Sequence, residues 1–394
     1  MSNHLTTDVI VVGAGLVGLS AAITLALLHK KVVLVDSHPS HNNNSKLQPD
    51  WDTRLYALTP ASISWLECIG VWSYVDKSRL GAINQMHLWA NDHVEQLILK
   101  DSDAHLTQLG LIVENKNLLQ ALRQRIKTLD VTIIENQSGA SLDYLQPHKI
   151  TLTLNNATII SANLLVAADG VHSWVRSQTN IGVTIKPFNQ TAIVANFTGE
   201  ILHQNIAYQW FKSHDTLALL PLPDRMVSMV WSVSNAKAVK LLSLTPEDLA
   251  QAVLKQSRGI LGRLSLLGTP HSFMLNQQTA NHLIADRIMF IGDAAHQIHP
   301  LAGQGVNLGF RDVMQMQQLM TNAHTMQDIG EHIFLRRYER NRRADIASIN
   351  TLTSGLDWLF SSEHNVVNAS INWGFKQLNK QLKVKKLLIQ AATA

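Results

Sequence analysis

The sequence predicts a mixed α/β (α+β) protein that combines a parallel sheet, an antiparallel sheet and a helical C-terminal region. Three observations lead to this prediction. Apolar runs at 9–12, 164–167 and 288–291 each end at a glycine-containing turn, which is typical of buried parallel strands. Short β-rich runs recur between residues 181 and 279. The chain after Asp312 has a mainly helical pattern.

The composition is that of a folded protein with large apolar cores. The 394 residues are 46% hydrophobic and 16% charged, which excludes a disordered chain. At about 100–200 residues per domain, we expect two or three domains. The net charge is only +4, and no block of Lys and Arg is interleaved with aromatic residues, so nucleic-acid binding is not expected. Cys68 is the only cysteine, which excludes internal disulfides and multi-cysteine metal sites and indicates a reducing, cytoplasmic compartment.

The first apolar segment, residues 9–28, has about twenty residues without a charge, which is long enough to cross a bilayer. No basic stretch precedes it, and β-branched residues are confined mainly to its first part. We therefore predict a buried strand at 8–12, a glycine-rich turn, a helix at 19–28 and a second strand at 31–35 that ends at Asp36.

This arrangement is the Rossmann-like fingerprint for a dinucleotide. Gly13 permits the tight turn, Gly15 lets a pyrophosphate approach the backbone, and Gly18 lets the helix pack against the strand. The start of the helix offers unpaired N–H groups to the phosphates, and Asp36 is spaced to accept hydrogen bonds from the adenosine ribose. The motif by itself is compatible with NAD and with FAD.

Two later strands also end in an acidic motif. The strand at 164–168 is followed by Asp169-Gly170, and the strand at 287–291 is followed by Gly292-Asp293 and a glycine-rich turn into a helix that begins near Gly305. An aspartate at such a strand end can hold a ribityl hydroxyl group. Backbone amides of residues 303–306 at the helix start can stabilise negative charge on a reduced isoalloxazine ring.

With these motifs, the sequence resembles the class A flavoprotein monooxygenases, and most closely the ubiquinone-biosynthesis aromatic-ring hydroxylases, along nearly its whole length. The resemblance rests on four segments of the chain: 8–18, the D-T-R-x-x-A-L motif at 52–58, the A-D-G-x-x-S-x-x-R motif at 168–176, and the H-P-L-A-G-Q-G-V-N-L-G motif at 299–309. Ala168 replaces a common family glycine, a change that bears on nicotinamide handling and not on FAD binding. Asp36 replaces the commoner glutamate, and its shorter side chain still allows a ribose contact.

The resemblance implies an FAD site and a hydroxylation reaction. It places Asp293 at the ribityl chain, Arg54 near the flavin and pyrophosphate, and Asp169-Gly170 at both FAD and a transient NAD(P)H. In this family reduced flavin and O₂ give a C4a-hydroperoxide, whose distal OH is transferred to an electron-rich aromatic ring. The residues expected to bind the cofactor are Gly13, Ala14, Gly15, Gly18, Asp36, Arg54, Asp169, Gly170, Gly292, Asp293, Gly305, Val306 and Asn307.

The catalytic surface is expected around the turn before the second motif helix, at His299, Pro300, Gly303, Gln304 and Gly305. The resemblance implies that the Pro300 carbonyl faces the substrate ring; otherwise Pro300 only shapes the turn. His296 and His299 form an H-x-x-H pair that fits either a pocket lining and proton relay or structural hydrogen bonding. Zinc ligation would need a third ligand of suitable spacing, so no metal site is predicted.

The positions of the motifs predict a discontinuous FAD domain made of residues 1–75, 100–180 and 275–330. Residues 80–99 and 181–274 would form a substrate domain with an antiparallel sheet, followed by a helical region at 331–394. The apolar run 217–222 is interpreted either as the wall of a pocket for a greasy substrate or as an ordinary buried strand.

The segment 373–390 interleaves apolar residues with lysines, a pattern found in helices that lie on anionic membranes. We hypothesise that it docks the protein on the inner membrane or on partners in a ubiquinone-biosynthesis complex. The predicted reaction is hydroxylation of a polyprenylated phenol or benzoquinol with O₂ and NAD(P)H or another electron donor. The alternatives are a hydroxylase of a small soluble aromatic compound and a non-catalytic FAD-bound scaffold. A flavin halogenase is disfavoured because the sequence has no W-x-W-x-I-P segment.

Overall fold

The computed structural model describes residues 4–39, 51–90, 95–212, 215–298, 305–324, 327–361 and 365–393, with only the backbone described for 352–354, 356–361 and 365–372. Four predicted site residues, His299, Pro300, Gly303 and Gln304, lie outside the described residues.

The strands in chain order are β1 His4–Thr6, β2 Val9–Val12, β3 Val32–Val35, β4 Leu55–Leu58, β5 Gly81–Ile83, β6 Gln85–Ala90, β7 Gln96–Lys100, β8 Gly110–Glu114, β9 Val131–Ile134, β10 Gly139–Asp143, β11 Ile150–Leu154, β12 Ile159–Ala162, β13 Leu164–Ala167, β14 Val183–Gly199, β15 Ile206–Lys212, β16 Asp215–Pro221, β17 Met226–Ser234, β18 Leu264–Ala280, β19 Ile284–Ala285, β20 Ile288–Phe290 and β21 His296–Gln297. The helices are α1 Leu16–Leu27, α2 Pro60–Cys68, α3 Asn115–Ile126, α4 Trp174–Gln178, α5 Asn235–Leu242, α6 Pro246–Gln256, α7 Gly305–Thr321, α8 His332–Ser361, α9 Asn365–Lys380 and α10 Leu382–Thr393.

A parallel sheet brings the three predicted motif strands together. Its strand order is β19-β20-β13-β2-β3-β9, and only the edge strand β19 runs antiparallel to its neighbour. Ala167 at the end of β13 pairs with Val12 of β2 on one side and with Phe290 of β20 on the other. Because parallel strands end at the same edge, the segments that follow β2, β13 and β20 lie side by side.

Helix α1 starts three residues earlier than predicted. The sequence places its start at Leu19, after the last motif glycine, whereas the helix begins at Leu16 with Gly15 as its N-cap in an extended conformation. Gly18 lies in the first turn, where its missing side chain allows close packing instead of breaking the helix. The uncharged N-terminal segment is therefore a buried strand, a turn and a helix. Among the described residues, no helix is long and apolar enough to cross a membrane.

The second large sheet is antiparallel over most of its width, with strand order β21-β18-β14-β17-β16-β15-β6-β7. One face packs under α5 and α6 and contains the fully buried Leu217, Leu219 and Phe197. Alternate residues of the apolar run 217–222 thus belong to an ordinary core, while Leu220 points to the opposite face. The mixed fold predicted from the sequence is confirmed; the predicted domain boundaries remain a proposal.

The opposite face of the antiparallel sheet lies against the segment that contains Arg54. Leu220 and Met226 share an apolar cluster with Trp51, Leu55 and other residues. On the same face, the Asn196 side-chain amide donates a hydrogen bond of 3.2 Å to the Asp52 carbonyl. Two smaller sheets, β4-β8-β5 and β1-β12-β11-β10, complete the described strands.

Candidate active site

Glycines shape the first motif at the edge of the parallel sheet. Gly13 has a φ of +103°, and a Cβ there would overlap the carbonyl oxygen of Ala168. A Cβ on Gly18 would overlap the carbonyl oxygen of Gly13, so β2 and α1 approach as closely as their backbones permit. Within 4 Å of a Cβ on Gly15 there would be no heavy atom from the part of the chain that the structure describes. The start of α1 therefore borders open space, as a pyrophosphate cradle requires.

Asp36 follows β3 and lies beside this cradle. Its carboxylate accepts hydrogen bonds from the backbone amide of Ala14 and, at 2.7 Å, from that of His38. The Asp36 side chain is therefore fixed next to the start of α1, where a ribose bound to the Rossmann-like motif would lie.

The second motif places the Asp169 carboxylate, one oxygen of which lacks a hydrogen bond within the described residues, next to the first motif. Asp169 Oδ2 accepts a hydrogen bond from the amide of Val175 at 3.0 Å. Asp169 Oδ1 is buried and has no hydrogen-bond partner among the residues that the structure describes. Burial raises the pKa of Asp169, although hydrogen bonds from Ser173 and the following backbone partly oppose the shift. An orphaned acceptor of this kind fits the hydroxyl groups of a nucleotide.

Arg176 connects the second motif to the third. It is buried, and its guanidinium donates hydrogen bonds to the carbonyls of Val171 at 2.8 Å and Ala294 at 2.7 Å. Because the two carbonyls belong to different strand-end motifs, Arg176 holds the Asp169 and Asp293 turns in a fixed relation.

Asp293 lies in a recess between the third motif and Arg54. Its side chain is accessible to water, yet the surrounding protein raises its pKa by desolvation, an effect that His296 and Arg54 partly offset. The Asp293 side chain thus borders solvent-accessible space beside Arg54. The predicted residues Asp293 and Arg54 thus come together, as a site for the ribityl chain and pyrophosphate requires.

Tyr56 is a site residue that sequence reasoning missed. The Arg54 guanidinium lies 5.8 Å from the centre of its ring, and its hydroxyl donates a hydrogen bond to Asn115 Oδ1 at 3.3 Å. Burial raises the pKa of Tyr56, Arg54 lowers it in part, and the charge of Asp293 raises it further. The only sequence signal for Tyr56 is its position inside the D-T-R-x-x-A-L motif, in which it occupies a variable position without an assigned role.

The Arg54 segment is anchored by a buried ion pair that the sequence did not predict. Glu114 is fully buried and accepts hydrogen bonds from Arg79 Nε at 2.5 Å and Arg79 Nη2 at 2.8 Å. It also accepts a hydrogen bond from the Asp52 amide at 2.7 Å, and Asp52 in turn accepts one from the Arg54 amide at 2.9 Å. The sequence signal was only that Glu114 ends β8.

We expect Glu114→Gln to cost about 3 kcal/mol in the free energy of unfolding, because it leaves the Arg79 guanidinium without its buried counter-charge. FAD should also bind more weakly, because the Arg54 segment loses its anchor. Denaturant unfolding and FAD titration measure the two effects. The matched control is Glu135→Gln, which breaks the partly exposed Arg123–Glu135 pair and should cost at most about 1 kcal/mol. Equal costs for the two variants would contradict this account.

The first histidine of the H-x-x-H pair is part of a buried hydrogen-bond network. His296 is buried, and its Nε2 lies 2.7 Å from Asp312 Oδ2. The same carboxylate accepts hydrogen bonds from the Gly292 amide at 2.7 Å and from Arg342 Nε at 2.6 Å. This network supports the turn that carries Asp293. Of the two interpretations of His296, the geometry matches hydrogen bonding within the fold.

Helix α7 begins at the predicted Gly305 and borders the same recess. A Cβ on Gly305 would meet no heavy atom within 4 Å among the described residues, and Val306 is buried. The buried Asn307 side chain accepts a hydrogen bond from the Thr59 amide at 3.1 Å and donates one to the Ala57 carbonyl at 2.8 Å. These bonds tie α7 to the segment after Arg54, so the groups of 305–307 best placed to meet a flavin are backbone amides at the helix start.

The recess therefore offers an open glycine cradle, an orphaned buried carboxylate oxygen, strand-end acids and a helix N-terminus, a donor and acceptor set that fits FAD. With an antiparallel sheet lying over its Arg54 side, this fold and site define an FAD-dependent monooxygenase. The chain belongs to the FAD binding domain family, whose model matches residues 6–352.

Comparisons with known proteins agree with this class. The chain is 29% identical over 434 residues to the human protein named ubiquinone biosynthesis monooxygenase COQ6, mitochondrial, with 98% of this chain and 92% of that protein covered. It is 30% identical over 389 residues to ubiquinone hydroxylase UbiL of Rhodospirillum rubrum, covering 98% of this chain and 89% of the relative. The crystal structure of p-nitrophenol 4-monooxygenase PnpA from Pseudomonas putida superposes with a TM-score of 0.79 at 16% identity, with 99% of each chain covered.

Proposed function

We propose that this FAD-dependent monooxygenase hydroxylates the aromatic ring of a polyprenylated phenol or benzoquinol in ubiquinone biosynthesis. The observation that carries the proposal is the similarity to ubiquinone hydroxylases over 98% of the chain. The proposed co-substrates are O₂ and NAD(P)H or another electron donor.

When bound, FAD supplies the reduced flavin that activates O₂ for transfer of one oxygen atom to the ring. The residues proposed to hold it are the amides of the Gly13–Gly18 turn, the carboxylates of Asp36, Asp169 and Asp293, and the amides at the start of α7. Arg54 supplies positive charge in the recess, and Tyr56 and Glu114 keep its segment in position. His299, Pro300, Gly303 and Gln304 remain proposed contacts on the substrate side.

The protein must also exclude water from the reacting ring. Part of the sheet face toward the Arg54 segment is apolar: Ala207, Leu220 and Met226 share a cluster with Trp51 and Leu55, beside the polar Asn196. An apolar wall beside the cofactor recess suits a substrate with a long hydrocarbon tail, because the tail gains free energy when it leaves water.

The experiment that tests this proposal compares phenols with polyprenyl tails, short tails and no tail in detergent. We expect NAD(P)H oxidation coupled to a product heavier by one oxygen atom, with kcat/KM rising as the tail lengthens. A preference for a tailless aromatic acid would favour the small-molecule hydroxylase instead. Failure to hydroxylate any phenol while FAD is bound would favour the scaffold.

A polyprenylated substrate resides in a membrane, so we also propose peripheral contact with the bilayer and with partners of a ubiquinone-biosynthesis complex. The proposal for the bilayer rests on the C-terminal helices.

A further inference from the structure

The C-terminal helices concentrate the positive charge of the chain. Residues 365–393 contain five lysines and no Asp or Glu, whereas the net charge of the whole chain is +4. One of the five, Lys385, is buried and forms an ion pair with Asp103. The other four, at positions 376, 380, 383 and 386, are at least partly exposed.

Both helices are fixed to the body of the protein. Phe375 of α9 is 6% exposed and packs in an apolar cluster with Leu97 of β7, while Ile389 of α10 is 2% exposed. Asn379 accepts a hydrogen bond of 3.0 Å from the Ile98 amide and donates one of 2.6 Å to the Gln96 carbonyl, so α9 covers the edge strand β7. These contacts define which side of each helix faces inward.

The outward sides carry large apolar residues between lysines. Trp373, Leu382 and Leu387 are 67%, 58% and 65% exposed. Trp373, Lys376 and Lys380 follow helical spacing on α9, Lys383 and Leu387 do so on α10, and Leu382 is exposed at the start of α10. We call these six residues the C-terminal surface.

The chemistry of this surface matches an anionic bilayer. Exposed Trp and Leu side chains gain free energy when they enter the interfacial region, and each lysine near an anionic surface adds attraction. The described residues contain no helix able to cross a membrane, so the fitting geometry is a pair of helices lying on the bilayer. The absence of Asp and Glu from 365–393 removes the repulsion that acidic side chains would cause.

The surface is also linked to the apolar wall described above. Ile389 belongs to the same apolar cluster as Ala207, Leu220 and Met226 on the sheet face toward the Arg54 segment. We propose that the C-terminal surface docks the enzyme on an anionic bilayer and brings the apolar wall within reach of a membrane-bound polyprenyl substrate. This proposal rests on the proposed function.

The test is co-sedimentation of the full-length, FAD-loaded protein with phosphatidylcholine vesicles, with or without phosphatidylglycerol. The first variant, Lys376→Gln/Lys380→Gln/Lys383→Gln, should bind anionic vesicles about 100-fold more weakly, because each lysine contributes about fivefold. The second variant, Trp373→Ser/Leu387→Ser, should bind at least about 10-fold more weakly even at high salt, because it removes apolar area that enters the bilayer on binding.

The matched control is Val239→Ser/Lys240→Gln on α5, which alters an exposed apolar residue and an exposed lysine on the opposite side of the antiparallel sheet. It should bind like wild type. Point substitutions are preferable to truncation, because removing residues after 373 would also remove the buried Phe375 and Ile389.

The inference is overturned if the wild-type protein does not bind anionic vesicles, or if the surface variants bind them as tightly as wild type does. Either result would favour a protein partner on this surface. Hydroxylation of detergent-solubilised substrate separates the two proposals. If the protein hydroxylates that substrate but does not bind vesicles, only the docking inference fails. If it binds vesicles through this surface but hydroxylates no phenol, only the proposed function fails.

Discussion

Gly15→Ala is expected to weaken FAD binding by about 100-fold, or about 3 kcal/mol, while leaving the fold of the apoprotein intact. A Cβ at this position meets no heavy atom of a described residue within 4 Å, and the φ of −73° suits alanine, so the stability cost is about 1 kcal/mol for a poorer helix N-cap. The added methyl group would occupy the space through which a pyrophosphate approaches the backbone. Flavin fluorescence titration measures the affinity, and denaturant unfolding of the apoprotein measures stability.

Gly18→Ala is the control that separates loss of FAD binding from loss of packing. Its Cβ would overlap the carbonyl oxygen of Gly13, so β2 and α1 must separate, and we expect the apoprotein to lose about 3 kcal/mol or more. If both variants lose stability equally, Gly15 is a packing residue like Gly18, and the open cradle assigned to it is wrong.

Asp312→Asn is expected to destabilise the protein by about 3–5 kcal/mol, because it leaves the buried guanidinium of Arg342 without its main counter-charge. It should also weaken FAD binding, since Asp312 holds the Gly292 amide in the turn that carries Asp293. The matched control is Asp345→Asn: Asp345 pairs with Arg342 and Arg311 but is 26% exposed, and the variant should lose about 1 kcal/mol. Similar losses of unfolding free energy for both variants would contradict the claim that Asp312 is the main counter-charge of Arg342.

The same carboxylate predicts a pH dependence. Burial opposes its ionisation, but His296 and Arg342 outweigh burial and lower the pKa of Asp312 below its usual value. Its contribution to stability is therefore complete above the unfolded pKa of about 3.9 and is lost as the pH falls through the lower folded value. The unfolding free energy of wild type should fall more steeply than that of Asp312→Asn on acidification below about pH 4. Parallel curves would contradict the assignment.

The sequence predicts the strand-end motifs because each is encoded in one continuous stretch of the chain. A glycine turn, a following helix and a terminal acid have a local signature, and the strand order then brings them together. The ion pairs that hold these motifs in place have no such signature. Glu114 and Arg79 are 35 positions apart, and Asp312 and Arg342 are 30 apart, so their contact depends on the complete fold.

Two local features show where pattern reasoning falls short. The sequence places Gly18 before the helix, whereas it lies in the first turn of α1, where it packs closely against Gly13. In the run 217–222, the side-chain period of two places Leu217 and Leu219 in one core and Leu220 on the other face, so neither a wall nor a buried strand describes all of it.

The most direct test of the whole account is the dissociation constant for FAD of three single variants, each altering one of the three distant segments: Asp36→Asn, Asp169→Asn and Asp293→Asn. Because all three carboxylates are assigned to one cofactor, each substitution should weaken binding by about 10-fold or more without changing the stoichiometry of one FAD per chain. Wild-type protein that binds no FAD, or any of the three variants with unchanged affinity, would contradict the claim that these segments form a single flavin site.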